Sequence, residues 1–146
     1  MSTSPSPPAA APLPARKLQL GILVASLDAT IASLERVLGL GPFRFLDVPE
    51  AGVRAAFADW AGVEIELLEA ANDEVAQAHA AFLKGRPARL QHVGAYVPDV
   101  DAAVGRLRGE RVRMLIDDLA AETGRAALAD LRSEAGFLLE LVEAAR

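Results

Sequence analysis

A chain of 146 residues with a hydrophobic fraction of 52% has room for one domain, or for two small modules around a shared core, and ample apolar material to bury. Its net charge of −5, with no run of lysines or arginines, gives a nucleic-acid backbone nothing continuous to hold. The lack of cysteine excludes disulfides, thiol catalysis and thiolate metal sites, so any metal must be held by oxygen and imidazole.

Residues 1–17, MSTSPSPPAAAPLPARK, are Ser, Pro and Ala without apolar periodicity and read as a disordered tail, whose prolines also break the apolar core that a signal peptide needs. A single domain is expected over 18–146. Leu18 to Val24 has the alternation of a strand, and after Ser26 and Asp28, both plausible caps, Ile31, Leu34 and Leu38 recur at helical spacing until Gly39. PFRFLDV, VRAAFADW and VEIELLEA follow as short β-type runs separated by turn residues at Pro49-Glu50 and Ala61-Gly62. Residues 18–70 thus form a βαβββ module. NDEVAQAHAAFLKG, residues 72–85, predicts a connecting helix capped by Asn72 or Asp73, with His79 on its surface. The second module, 89–144, runs through LQHVGAYV, a helix from about Val100 to Leu107, then RVRMLI, RAALADL and GFLLELVE. No stretch approaches the roughly 20 uninterrupted apolar residues of a membrane span. A soluble, cytoplasmic protein without a membrane partner is the expectation.

The two modules are repeats of one another. Between QLGILVASLDATIASL (19–34) and HVGAYVPDVDAAVGRL (92–107), Gly21 falls on Gly94, Val24 on Val97, Asp28 on Asp101 and Leu34 on Leu107. One further residue of insertion brings VEIELLEA (63–70) onto FLLELVEA (137–144), with Glu66 on Glu140. The expected fold class is α+β: two paired βαβββ modules joined into a curved mixed sheet, helices outside and a concave ligand cavity inside.

Strand parity then selects candidates. Alternate residues share a face, so Val63, Ile65 and Leu67 face the helices while Glu64, Glu66 and Leu68 point the other way. The same alternation turns Glu140 away from the helices, and Gln19 with its repeat partner His92 also lies on the concave side. A pseudo-twofold axis would bring Gln19, Glu66, His92 and Glu140 to one point. Two carboxylates, an imidazole and an amide oxygen would be neutralised there by a divalent cation, with zinc, nickel, cobalt and manganese all suited to the donors. Taken singly, each residue has an ordinary reading: a solvated strand glutamate, a hydrogen-bonded core histidine, an uninformative glutamine. It is their recurrence at matching places in a duplicated unit that points to a site.

QLGILVASLDATIASLERVLGLGP and QHVGAYVPDVDAAVGRL resemble the paired opening segments of the vicinal oxygen chelate superfamily, and the likeness extends over about residues 18–143. That family includes glyoxalase I, methylmalonyl-CoA epimerase, ring-cleaving dioxygenases and metal-free bleomycin-binding proteins. The resemblance implies metal ligands at Gln19, Glu66, His92 and Glu140 and a chelated, oxygen-rich substrate. VPEAGVRAAFADWAGVEIELLEAANDE, followed by AFLKG and QHVG, is most similar to the methylmalonyl-CoA epimerase-like members, whose Pro-Glu-x-Gly-Val turn carries an acid–base glutamate. Glu50 stands at that position. The resemblance therefore implies a pair of bases, Glu50 and Glu140, on opposite faces of a carbon next to a thioester carbonyl, with Glu140 doubling as a ligand. Glu50 reads equally well as a turn residue between Pro49 and Gly52.

Three activities remain open at this stage. One is a metal-dependent isomerase or epimerase acting on an acyl-CoA or another carbonyl compound. The order Gln, Glu, His, Glu is similar to that of some glyoxalase I enzymes, which makes a lyase the second. The third is a metal-free binding protein that takes a hydrophobic small molecule into a cavity lined by Phe57, Trp60 and Tyr96. Lys84, Arg86 and Arg89 either meet an acyl-CoA phosphate or carboxylate or form a solvated loop. A homodimer is the expected assembly, as is common in the family.

Overall fold

A computed structural model describes residues 11–121 and 124–144. Residues 1–10 of the expected tail and the last two residues of the expected domain lie outside the described residues. The chain runs β1 (Lys17–Val24), α1 (Leu27–Leu38), β2 (Arg44–Val48), β3 (Val53–Trp60), β4 (Val63–Ala70), α2 (Asp73–Leu83), β5 (Ala88–Val97), α3 (Val100–Gly109), β6 (Arg113–Ala121), β7 (Gly124–Leu131), α4 (Arg132–Ala135) and β8 (Phe137–Glu143). These elements make two βαβββ modules with α2 between them. None of the described helices is long and apolar enough to cross a membrane.

Local chemistry accounts for the helix boundaries. The Ser26 hydroxyl accepts from the Ala29 N–H at 3.2 Å and Asn72 from Val75 at 2.9 Å, and Asp99 caps α3 through Ala102 at 3.0 Å. Gly39 ends α1 at φ 65°, a left-handed conformation that a side chain would strain. Two elements depart from expectation. β6 continues beyond Ile116 to Ala121, through Asp117 and Asp118, where an edge strand with register breaks needs no apolar alternation. The short α4 turn before β8 carries too few residues for helical periodicity to register.

All eight strands form one curved sheet in the order β2-β3-β4-β1-β5-β8-β7-β6. Each module contributes four neighbouring strands, with β1 parallel to β4 in the first and β5 parallel to β8 in the second. The seam between modules is the antiparallel pairing of β1 with β5. Each half has its own apolar cluster: Val24, Leu27, Leu40, Ala56, Ile65 and Leu67 in the first, and a second around Val97, Val100, Val104 and Leu141. Leu27, Leu67 and Leu141 are fully buried, so truncating any of them to alanine costs about 2–5 kcal/mol. Of the segment read as tail, Leu13 packs against the second cluster and the Arg16 N–H donates to the Tyr96 carbonyl at 2.8 Å.

Candidate functional site

The face of the sheet turned away from the clusters carries the candidates, and the β1–β5 seam brings the first two together. Gln19 pairs across the seam with Gly94, and Gly21 with His92. A glycine on each strand makes room for the side chain opposite. A Cβ on Gly21 would stand 1.9 Å from Cε1 of His92, and one on Gly94 would stand 2.9 Å from Oε1 of Gln19. The repeated glycines are thus a steric consequence of two long polar side chains crossing the seam. Gly21→Ala is expected to drive the imidazole from its place at a cost of about 1–3 kcal/mol. Thermal denaturation checks this, and an unchanged melting temperature with unshifted His92 resonances would disprove the steric account.

The flanking strands add the carboxylates. Glu66 on β4 is level with Gly21, and Glu140 on β8 is level with Gly94. His92 Nε2 lies 3.2 Å from Gln19 Oε1, 3.3 Å from Glu140 Oε2 and 3.7 Å from Glu66 Oε1. On its other side Nδ1 lies 3.0 Å from Oε1 of Gln91. Gln91 is the residue left unpaired by the register shift that follows Gly21↔His92. Gln19 and His92 are 3% and 4% exposed, so their polar atoms depend on these partners rather than on water.

Burial dominates the electrostatics. It raises the Glu66 carboxyl to about 8, helped by the charges of Glu140 and Glu64 and opposed by a hydrogen bond from Gln19. Glu140 is raised as well, by burial and then by Glu64. His92 is pushed down to about 4 by burial, so the ring is neutral near pH 7. A neutral ring supplies at most one proton at Nε2 and the Glu66 carboxyl, raised to about 8, one more, so the remaining contacts there are lone pair facing lone pair. A donor set of one nitrogen and three oxygens, two of them from carboxylates reluctant to ionise without a counter-charge, fits a divalent cation of the zinc, nickel, cobalt or manganese type. Among the described residues no three His, Cys, Asp or Glu side chains form a ready-made coordinating group; Gln19, Glu66 and Glu140 each approach Nε2 of His92.

The remaining candidates are more scattered. Glu50 sits exposed in a one-turn 3-10 helix, Pro49–Ala51, ahead of the Val53↔Ala70 pair. That level is four residues beyond Glu66 along β4, roughly 13 Å of strand. Phe57 is directly across from Glu66 and has the Arg44 guanidinium 4.6 Å from its ring centre. Trp60 pairs with Val63, on the face opposite to Glu66, and does not share the concave surface. The Tyr96 hydroxyl reaches Glu64 at 2.6 Å, and burial together with Glu64 raises its pKa. Arg89 donates to the Phe82 carbonyl at 2.8 Å and stacks on that ring, which ties it to the end of α2. Sequence reasoning passed over Glu64 and Gln91. Glu64 has the same parity as Glu66, but its repeat partner is Leu138, so a search for repeated carboxylates does not select it.

A family model for the Glyoxalase/Bleomycin resistance protein/Dioxygenase superfamily matches residues 18–128. Among solved structures, methylmalonyl-CoA epimerase from Mycobacterium tuberculosis is 29% identical, with 94% of each chain covered and a TM-score of 0.77. A Streptomyces coelicolor methylmalonyl-CoA epimerase in complex with 2-nitronate-propionyl-CoA is 27% identical over 92% of this chain and 100% of that one, with a TM-score of 0.75. A hypothetical protein from Bacillus halodurans is 26% identical over 88% and 93%, with a TM-score of 0.77. Comparison with the curated proteins finds no match.

Proposed function

Since the chain belongs to the glyoxalase/bleomycin resistance protein/dioxygenase superfamily, we propose that it is a metal-dependent epimerase or isomerase that moves a proton on the carbon next to an acyl-CoA thioester. The observation that carries this reading is the convergence of Gln19, Glu66 and Glu140 on Nε2 of His92. Likeness to epimerases over nearly the whole chain supports the choice of substrate class.

Gln19, Glu66, His92 and Glu140 are the residues that would hold the ion, which when bound supplies a Lewis acid for the substrate carbonyl oxygen. The chain's own residues do the proton work. Glu140 takes the proton from the α-carbon on one face. Glu50 returns a proton on the other face, from the turn beyond the end of β4. Phe57, beside Glu66, walls the cavity and restricts water around the reacting carbon. The glyoxalase-type alternative would use the same ligands, with a hemithioacetal in place of the thioester and the proton delivered to the adjacent carbon instead of back to the one it left.

Metal content decides first. Protein purified without chelator and incubated with zinc, nickel, cobalt or manganese is expected to retain about one ion per chain, as a folded site of this donor number would. It is also expected to exchange the α-proton of an α-chiral acyl-CoA with solvent deuterium. Exchange confined to a glutathione hemithioacetal would instead favour the lyase. No stoichiometric ion with any of the four metals would favour the small-molecule binding protein.

A further inference from the structure

Glu64 is the concave-face carboxylate that the repeat does not explain. It is level with Gln19 in the sheet, and its Oε1 accepts two short hydrogen bonds, from Gln19 Nε2 at 2.7 Å and from the Tyr96 hydroxyl at 2.6 Å. Lys17 Nζ stands 3.7 Å from Oε2 and is itself anchored on Asp59 at 2.6 Å. Glu64 is therefore held from three sides.

A terminal amide has a donor end and an acceptor end of nearly the same shape, and only its partners decide which way it points. An ionised carboxylate accepts and never donates. Glu64 can engage Gln19 only through the NH2 group, which turns Oε1 of Gln19 toward His92 Nε2, 3.2 Å away. Glu66 draws on the same amide, but it belongs to the cluster around His92. Glu64 stands outside that cluster. We propose that Glu64 is a positioning residue for Gln19, fixing the amide so that its oxygen rather than its nitrogen faces the convergence point.

The second half solves the equivalent problem differently. The repeat counterpart of Glu64 is Leu138, level with His92 and unable to accept a hydrogen bond. His92 is instead held from behind by Gln91 at Nδ1, the residue displaced by the bulge. Each seam-crossing side chain has an orienting partner outside the cluster, a carboxylate for the amide and an amide for the imidazole. Orientation of this kind sets the strength of a metal centre from outside the ligand shell.

The consequence for an ion rests on the function proposed above, whereas the orientation of Gln19 does not, and the two are tested separately. In metal-free protein, the Gln19 side-chain protons are assigned by nitrogen-15 NMR from the signal lost in Gln19→Glu. One Nε2 proton is expected downfield of solvated amides, with exchange slowed about tenfold or more by its bond to a carboxylate. Glu64→Leu, which places at 64 the residue of its repeat counterpart and cannot accept, should return it to the solvated range with the fold unchanged by circular dichroism. Glu64→Asp, which keeps the charge but withdraws it by one methylene, serves the same comparison if Glu64→Leu does not fold. With cobalt(II) as probe, Glu64→Leu should weaken binding about 10–100-fold and alter the visible ligand-field spectrum. The double variant Gln19→Glu/Glu64→Gln should recover both, because the introduced amide then donates to the introduced carboxylate, while Gln19→Glu alone should not. A Gln19 Nε2 proton with the same shift and exchange rate in wild type and Glu64 variants would overturn the proposal. Wild type that binds no cobalt yet shows the Glu64-dependent Nε2 proton would sustain it and sink the metal-dependent reading instead.

Discussion

Solvent deuterium is expected to stop entering the α-position of an acyl-CoA thioester when Glu140 is replaced by glutamine. The amide keeps the shape of the side chain and an oxygen that can still face His92, but it cannot accept a proton from carbon. Loss of a positioned general base reduces such a step by about 10²–10⁴-fold. The fold should be unaffected, because Glu140→Gln removes a charge that burial already disfavours. Mass spectrometry of the recovered thioester reads the exchange, and the melting temperature serves as the control. Exchange within a factor of two of wild type would take Glu140 out of the reaction and leave it, at most, a ligand.

The second large effect is one of pH. In the metal-free protein Glu66 is raised from 4.5 to about 8, so between those values the folded chain keeps a proton that the unfolded chain releases. Its contribution to stability is fully present below 4.5 and is lost as pH rises through 8, with a slope of up to about 1.4 kcal/mol per pH unit. Glu140 is shifted in the same direction. His92 has the opposite sign: lowered from 6.5 to about 4, it contributes stability that is present above 6.5 and lost as pH falls through 4. Between pH 4.5 and 6.5 the two effects oppose each other. From 6.5 to 8 only the carboxylates act, so the melting temperature in chelator should fall across that window. Glu66→Gln should flatten most of the fall. Since an ion must displace the Glu66 proton, metal affinity should rise with pH up to about 8, with that proton contributing about tenfold per unit. Glu66→Gln should weaken it more than about 100-fold, beyond the range of outer-shell changes. A wild-type profile that is flat from 6.5 to 8, or a slope that persists in Glu66→Gln, would show that this carboxyl is not the titrating group.

The paired modules are legible in the sequence because duplication marks the same positions twice. Gly21 with Gly94, and Glu66 with Glu140, stand out by recurrence where neither member would alone. Parity does the rest: once VEIELLEA is a strand, Glu66 must lie opposite to Ile65 and Leu67, and the register bears this out. What recurrence cannot reveal is whatever the halves do differently. Glu64 faces Leu138 in the alignment, and Gln91 enters through a register shift that no periodicity announces. Trp60 misleads for another reason. Its size suggests a cavity wall, but position at the end of β3 sends it to the opposite face. The extent of β6 escapes notice because an edge strand is specified by its backbone pairing rather than by burial.

The seam between β1 and β5 gives each half an equal share in the centre, two groups from the first module and two from the second. Had a single module assembled with a copy of itself, symmetry would have forced the same residue onto both sides of the axis. Joining the copies in one polypeptide lifts that constraint, so an amide now stands where its repeat counterpart is an imidazole. The two sides of the seam therefore differ in chemistry, with Gln19 reaching across from one strand and His92 from the other. Divergence of the copies gives each side its own character.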